Sequence, residues 1–93
     1  MVRVVVSIAR FRKAYHRLQT ADQELIDHAL RQLTVSLQTR HAPVGLGLKK
    51  LGHGIFEVRA GLALRIVYVE EGPQVVLALL GTHDEVRRFL RRQ

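Results

Sequence analysis

The chain has 93 residues, enough for one domain around a single core and too few for two. Lys and Arg number 15 against 8 Asp and Glu, a formal charge of +7, while 47% of the residues are hydrophobic and none is cysteine. This apolar fraction argues against intrinsic disorder, and the lack of thiols excludes disulfides, thiolate metal sites and cysteine nucleophiles.

The opening MVRVVVSIA is interrupted by Arg3 and has neither the length of a membrane span nor the order of a signal peptide. A soluble, cytoplasmic protein with no membrane partner is expected. The positive charge points to polyanions, nucleic acid first and an acidic protein second, against the plainer reading that it only aids solubility.

Val2, Val4, Val5 and Val6 form a β-branched run ending near Ser7, the first strand. From Ala9 to Leu18, Phe11, Ala14, Tyr15 and Leu18 recur at helical spacing, with Arg10, Arg12, Lys13 and Arg17 mostly on the other side. TADQ has the form of a capping box, Thr20 with Gln23, and starts a second helix. Its buried stripe is Leu25, Ile26, Ala29, Leu30, Leu33 and Leu37, and it runs to about Thr39 before Pro43, Gly45 and Gly47 break it.

The hydrophobic period then changes from about 3.6 to 2, predicting strands near 54–60, 62–70 and 74–81. Phe56 and Val58, then Leu64, Ile66 and Tyr68, then Val75, Leu77 and Leu79 are expected to face the helices. The last strand is apolar on both sides and should be interior. Thr82 can cap a short terminal helix, with Asp84 and Glu85 in its first turn and Arg91 and Arg92 in its last. The expected fold is α+β, ordered β-α-α-β-β-β-α: a helical hairpin on one face of a mainly antiparallel four-stranded sheet, forming a single domain over 1–93.

No H-E-x-x-H, Walker A or calcium-loop pattern occurs. GLGLKKLGHG, residues 45–54, does not have the spacing of a dinucleotide fingerprint and reads as a flexible loop. His16, His28, His41, His53 and His83 show no metal-binding spacing, so neither metal nor cofactor is expected.

The charged positions in the next two strands carry more information. A three-residue turn near Ala60 to Leu62 puts Glu57, Arg59 and Arg65 on one face, away from Phe56 and Val58. A cross-strand ion pair between Glu57 and Arg65, worth ~0.2–1 kcal/mol at a surface, would account for them structurally. They also suit RNA cleavage, which needs a base for the 2′-hydroxyl, cations around the phosphate and an acid for the leaving oxygen. Glu57, Arg59, Arg65 and His83 could supply these parts without a metal, although a histidine at a helix start is by itself more often merely solvated.

LKKLGHGIFEVRAGLALRIVYV, followed by an apolar strand and GTHDEVRRFL, resembles the RelE/ParE superfamily of bacterial type II toxins over nearly the whole chain. The resemblance implies a ribosome-dependent messenger-RNA endonuclease held in check by a cognate antitoxin in a heteromeric toxin–antitoxin assembly. It implies phosphate binding by Arg65, activation or holding of the nucleophile by Arg59, and general acid catalysis by His83. It also implies RNA contacts from Lys49 and Lys50, with Arg87 and Arg88 in the terminal segment. Two positions depart from the family: Glu57 stands where members can carry a lysine, and Phe89 falls where some have a catalytic tyrosine. Phenylalanine cannot transfer a proton, so either cleavage rests on Glu57 and His83 or the activity is weak or absent. The same resemblance admits a ParE-like inhibitor of DNA gyrase, or a non-catalytic module binding RNA or antitoxin.

Overall fold

The computed structural model describes residues 4–39 and 46–92. The expected strand start at Val2, the helix break at Pro43 and Gly45, and His41 lie outside the described residues. Strand β1 (Val4–Ser7) leads into helix α1 (Ala9–Arg17), and the short link at Leu18 and Gln19 leads into α2 (Thr20–Thr39). Strands β2 (Lys49–Gly52), β3 (Ile55–Ala60), β4 (Leu64–Glu71) and β5 (Gln74–Thr82) follow, and α3 (His83–Arg91) closes the chain.

The strands form one five-stranded sheet in the order β1-β5-β4-β3-β2. β1 runs parallel to β5 and the other neighbours are antiparallel. The α+β class, the element types and the hairpin on one face are as the sequence predicts, and β5 is interior. The strand count is corrected from four to five, because KKLG, read as part of a flexible loop, pairs with the edge of β3. This strand is short and lacks a clean alternating pattern. It follows from the turn at His53 and Gly54, where Gly54 has φ +69° and folds the segment back onto β3.

The main core lies between the helices and one sheet face: Phe11, Ile26, Ala29 and Leu33 meet Val58, Ile66, Tyr68, Val75, Leu77 and Leu80. Phe56 and Tyr68 stack across β3 and β4 with ring centroids 5.1 Å apart. Leu79, expected on this face, belongs to the other, with Val67 and Val86, and Leu80 takes its place. The cause is a register shift: Val67 pairs with Leu79 but Tyr68 with Leu77, so the extra residue Ala78 reverses the alternation along β5. Leu25, expected in the buried stripe of α2, is 42% exposed and lies over the β3–β4 turn.

The start of α2 also differs in detail. Thr20 is already helical, the Gln23 amide donates to the Gln19 carbonyl, and the Gln23 side chain donates to the Tyr15 carbonyl at 3.0 Å rather than closing a box with Thr20. The two helices are further joined by the Tyr15 hydroxyl, which donates to Asp27 Oδ1 at 2.8 Å. This hydrogen bond, with burial and the Asp27 charge, raises the phenol above its usual pKa of 10.0.

Leu33 is almost fully buried, so Leu33→Ala should lower the unfolding free energy in urea by about 2–5 kcal/mol. Leu62→Ala, at a fully exposed turn position, should change it by less than about 0.5 kcal/mol. Because the Tyr15 pKa is raised by folding, its contribution is complete below the unfolded value of about 10 and is lost as pH rises through the folded value. Urea midpoints measured up the alkaline range should therefore fall less steeply in Tyr15→Phe than in the parent chain.

Candidate functional site

Helix α3 packs on the sheet face opposite the hairpin, where Val86, with Phe89 and Leu90, covers Val67 and Leu79. It covers only part of that face. The remainder carries the charged positions of β3 and β4, so the apolar patch under α3 ends where a polar concavity begins. This concavity has a volume of about 410 Å³ and is walled by Lys49, Glu57, Arg59, Arg65 and His83, with Gly47 and Leu48 at its rim.

Alternation and register place each wall residue. The β3–β4 turn is Gly61–Ala63, one residue later than expected, and it sets Arg59 directly opposite Arg65 and Glu57 opposite Val67. Two like charges facing each other repel, and the carboxylate diagonal to them offsets this. Glu57 Oε1 lies 3.7 Å from Arg65 Nε, with both side chains about nine-tenths buried. On its other side Glu57 pairs in register with Lys49 of β2, so the carboxylate is flanked by cationic residues on both neighbouring strands. The cross-strand ion pair expected from sequence is present, and it is part of the concavity.

Arg65 is held by the turn as well. Its Nη1 donates to the carbonyls of Leu62 and Leu64 at 3.3 and 3.2 Å, which draws the guanidinium toward the end of the hairpin. Its partner across β5 is Gly81, a position without a side chain to fill the space beside it. Gly81 also permits the cap of α3: a Cβ there would lie 3.0 Å from the Glu85 carboxylate. Glu85 Oε1 accepts from the Thr82 amide at 3.0 Å and the Thr82 hydroxyl accepts from the Glu85 amide at 3.3 Å, so the expected Thr82 cap is a full capping box. His83, the first residue of α3, is thereby fixed at the edge of the concavity.

The structure thus brings together Glu57, Arg59, Arg65, His83 and Lys49, and leaves out three residues expected to bind RNA. Lys50 pairs with Phe56 and so has the opposite facing from Lys49. Arg88 borders a separate concavity with Arg10 and Arg92, and Arg87 lies on the surface of α3 near Asp84 and Arg91. Phe89 is half-buried against the second apolar cluster. From sequence Gly47 stands out only as a helix breaker, and Gly81 is not singled out. Gly47, at φ +66°, lies against the Arg59 stem, where a Cβ would sit 3.1 Å from the Arg59 Cβ. A glycine inside a strand pattern, as at Gly81, signals such close approach. Among the described residues no three His, Cys, Asp or Glu side chains come together as metal ligands, and no helix is long and apolar enough to cross a membrane.

The sequence matches no protein-family profile and no curated relative. Its fold, however, is shared with solved structures. The E. coli DinJ-YafQ toxin-antitoxin complex contains a chain that superposes with a TM-score of 0.74 at 13% identity, covering 92% of this chain and 98% of that one. For the archaeal RelE-RelB complex from Pyrococcus horikoshii the values are 0.67 and 18%, over 88% and 96% of the two chains. For the YoeB/ParE toxin from Agrobacterium tumefaciens they are 0.65 and 18%, over 86% and 98%. The chain therefore has the RelE-like toxin fold.

Thr82→Ala removes one half of the capping box and should cost about 0.5–2 kcal/mol. Gly81→Ala disturbs the other half by crowding Glu85. In urea unfolding the double variant should lose less than the sum of the two single losses, because both act on one hydrogen-bonded unit.

Proposed function

We propose that this chain is the toxin of a type II toxin–antitoxin pair, acting as an endoribonuclease that cuts messenger RNA on the ribosome. The observation that carries this reading is the gathering of a carboxylate, two arginines, a lysine and a histidine in one open concavity of a sheet with the RelE-like fold. Fold alone does not imply activity; the chemistry of the site supplies the rest.

In the proposed reaction the Glu57 carboxylate takes the proton of a ribose 2′-hydroxyl as its oxygen attacks the adjacent phosphorus. Arg65 and Arg59 bind the phosphate and stabilise the extra negative charge of the pentacoordinate transition state. The bond from phosphorus to the 5′-oxygen breaks, and that oxygen takes a proton from the His83 imidazolium. The products are a 2′,3′-cyclic phosphate and a free 5′-hydroxyl. This sequence of steps calls on no metal ion. Lys49, on the same face, contributes attraction for the RNA backbone.

A protein partner follows from the same surface. The solved neighbours include complexes of toxin with antitoxin, which supports a cognate antitoxin here, and a net charge of +7 favours one with an acidic or amphipathic segment. Transcripts on ribosomes place the action in the cytoplasm.

In a cell-free translation system the chain should arrest synthesis and leave transcripts with new 5′-hydroxyl ends, with gyrase supercoiling untouched. Arg65→Ala and His83→Ala should each slow cleavage by about 10²–10³-fold. Variants as active as the parent would show that these residues do not do this work, and loss of supercoiling before translation would instead identify a gyrase inhibitor.

A further inference from the structure

Glu57 is the carboxylate in a concavity otherwise walled by Lys49, Arg59, Arg65 and His83. Only 7% of the residue is exposed, and burying a carboxylate is unfavourable unless cations compensate it. Arg65 does so: its Nε faces Glu57 while its Nη1 is bound to the turn carbonyls. The separation of 3.7 Å exceeds the roughly 2.7–2.9 Å of a charge-assisted hydrogen bond. The pair is therefore held by charge and burial rather than by a short directional bond. A guanidinium fork accepts carboxylate and phosphate oxygens alike, so Glu57 occupies a position among the cations that suits a phosphodiester of equal charge.

We propose that Glu57 is a built-in counter-anion for Arg65 that the scissile phosphate displaces, so that the ion pair in this structure is the resting state of the site. The proposal rests on the nuclease reading above and adds to it. On Arg65 one anion replaces another, so the guanidinium keeps a counter-charge, while the negative charge added to the cluster by the phosphate is met by Lys49 and Arg59 on the same wall. The exchange also releases Glu57, next to the bound nucleotide, to accept the 2′-hydroxyl proton. One exchange thus prepares both clamp and base, and before it the two groups neutralise each other.

The test measures binding without cleavage, using the purified full chain and a fluorescent 2′-O-methyl oligoribonucleotide, whose blocked 2′-oxygen cannot attack. Removing the competing carboxylate with Glu57→Gln should tighten binding by about 5–30-fold and steepen its salt dependence by about one phosphate contact. Glu71→Gln makes the same change in net charge at the exposed far end of β4, opposite Gln74, and should alter affinity less than about twofold. Adding Arg65→Gln to Glu57→Gln should abolish the gain. If Glu57→Gln does not fold, Glu57→Thr, which suits a strand, should show the same ordering.

Binding by Glu57→Gln no tighter than by Glu71→Gln would overturn the exchange. If affinity still fell in Arg65→Gln alone, the phosphate site would stand without it. Binding indifferent to Arg65→Gln in every background would remove the phosphate-clamp reading as well.

Discussion

The arrangement depends on how one sheet face is divided between apolar and charged positions. Val67, fully buried at the middle of β4, requires an apolar cover on the side away from the hairpin, and Val86 of α3 provides it. The helix is nine residues long, about 13 Å at 1.5 Å per residue, too short to cover the whole face of a molecule with extents of 34 × 29 × 23 Å. The apolar cluster reaches Leu51 of β2 and Ile55 of β3, and toward the β3–β4 turn the chain places Glu57 and Arg59 of β3 and Arg65 of β4. Burial of Glu57 is tolerated because Arg65 is beside it.

Two features of backbone geometry make this division possible. The bulge at Ala78 lets β5 send Leu77 and Leu80 toward the hairpin and Leu79 toward α3, so one strand serves two cores. Gly81 then lets the chain leave the sheet directly into a capped helix, which brings His83 to the cluster on β3 and β4. The imidazole and the arginines come from segments that meet only because β5 lies beside β4. At the opposite wall, β2 adds Lys49 by pairing with the outer edge of β3.

The ion pair and a phosphate-handling role for Arg65 are compatible. A buried carboxylate beside a guanidinium satisfies both groups, and in the proposed function the same guanidinium takes the phosphate. Arg10, Arg88 and Arg92 border a second concavity together with Glu85, apart from the one that holds Glu57 and His83.

Much of this was legible in the sequence, and the limits have physical causes. The change of hydrophobic period from about 3.6 to 2 marks the helices and long strands, because side-chain direction follows backbone geometry residue by residue. The odd numbering of Glu57, Arg59 and Arg65 across a three-residue turn likewise placed them on one face, and Thr82 with Glu85 announced the last helix. Local pattern did not reveal β2, whose strand character comes from pairing with β3. Nor did it reveal the facing of Leu79, reversed by one extra residue at Ala78. It gave no reason to separate Lys49 from Lys50 or to set Arg87 and Arg88 apart. Sequence by itself determined the helices and the long strands and which charges share a strand face, since those are local properties of periodicity and alternation. Only the tertiary structure decided which charges enclose a common space, because that depends on strand order, register and the reach of α3, and these are set by contacts between residues far apart in the chain.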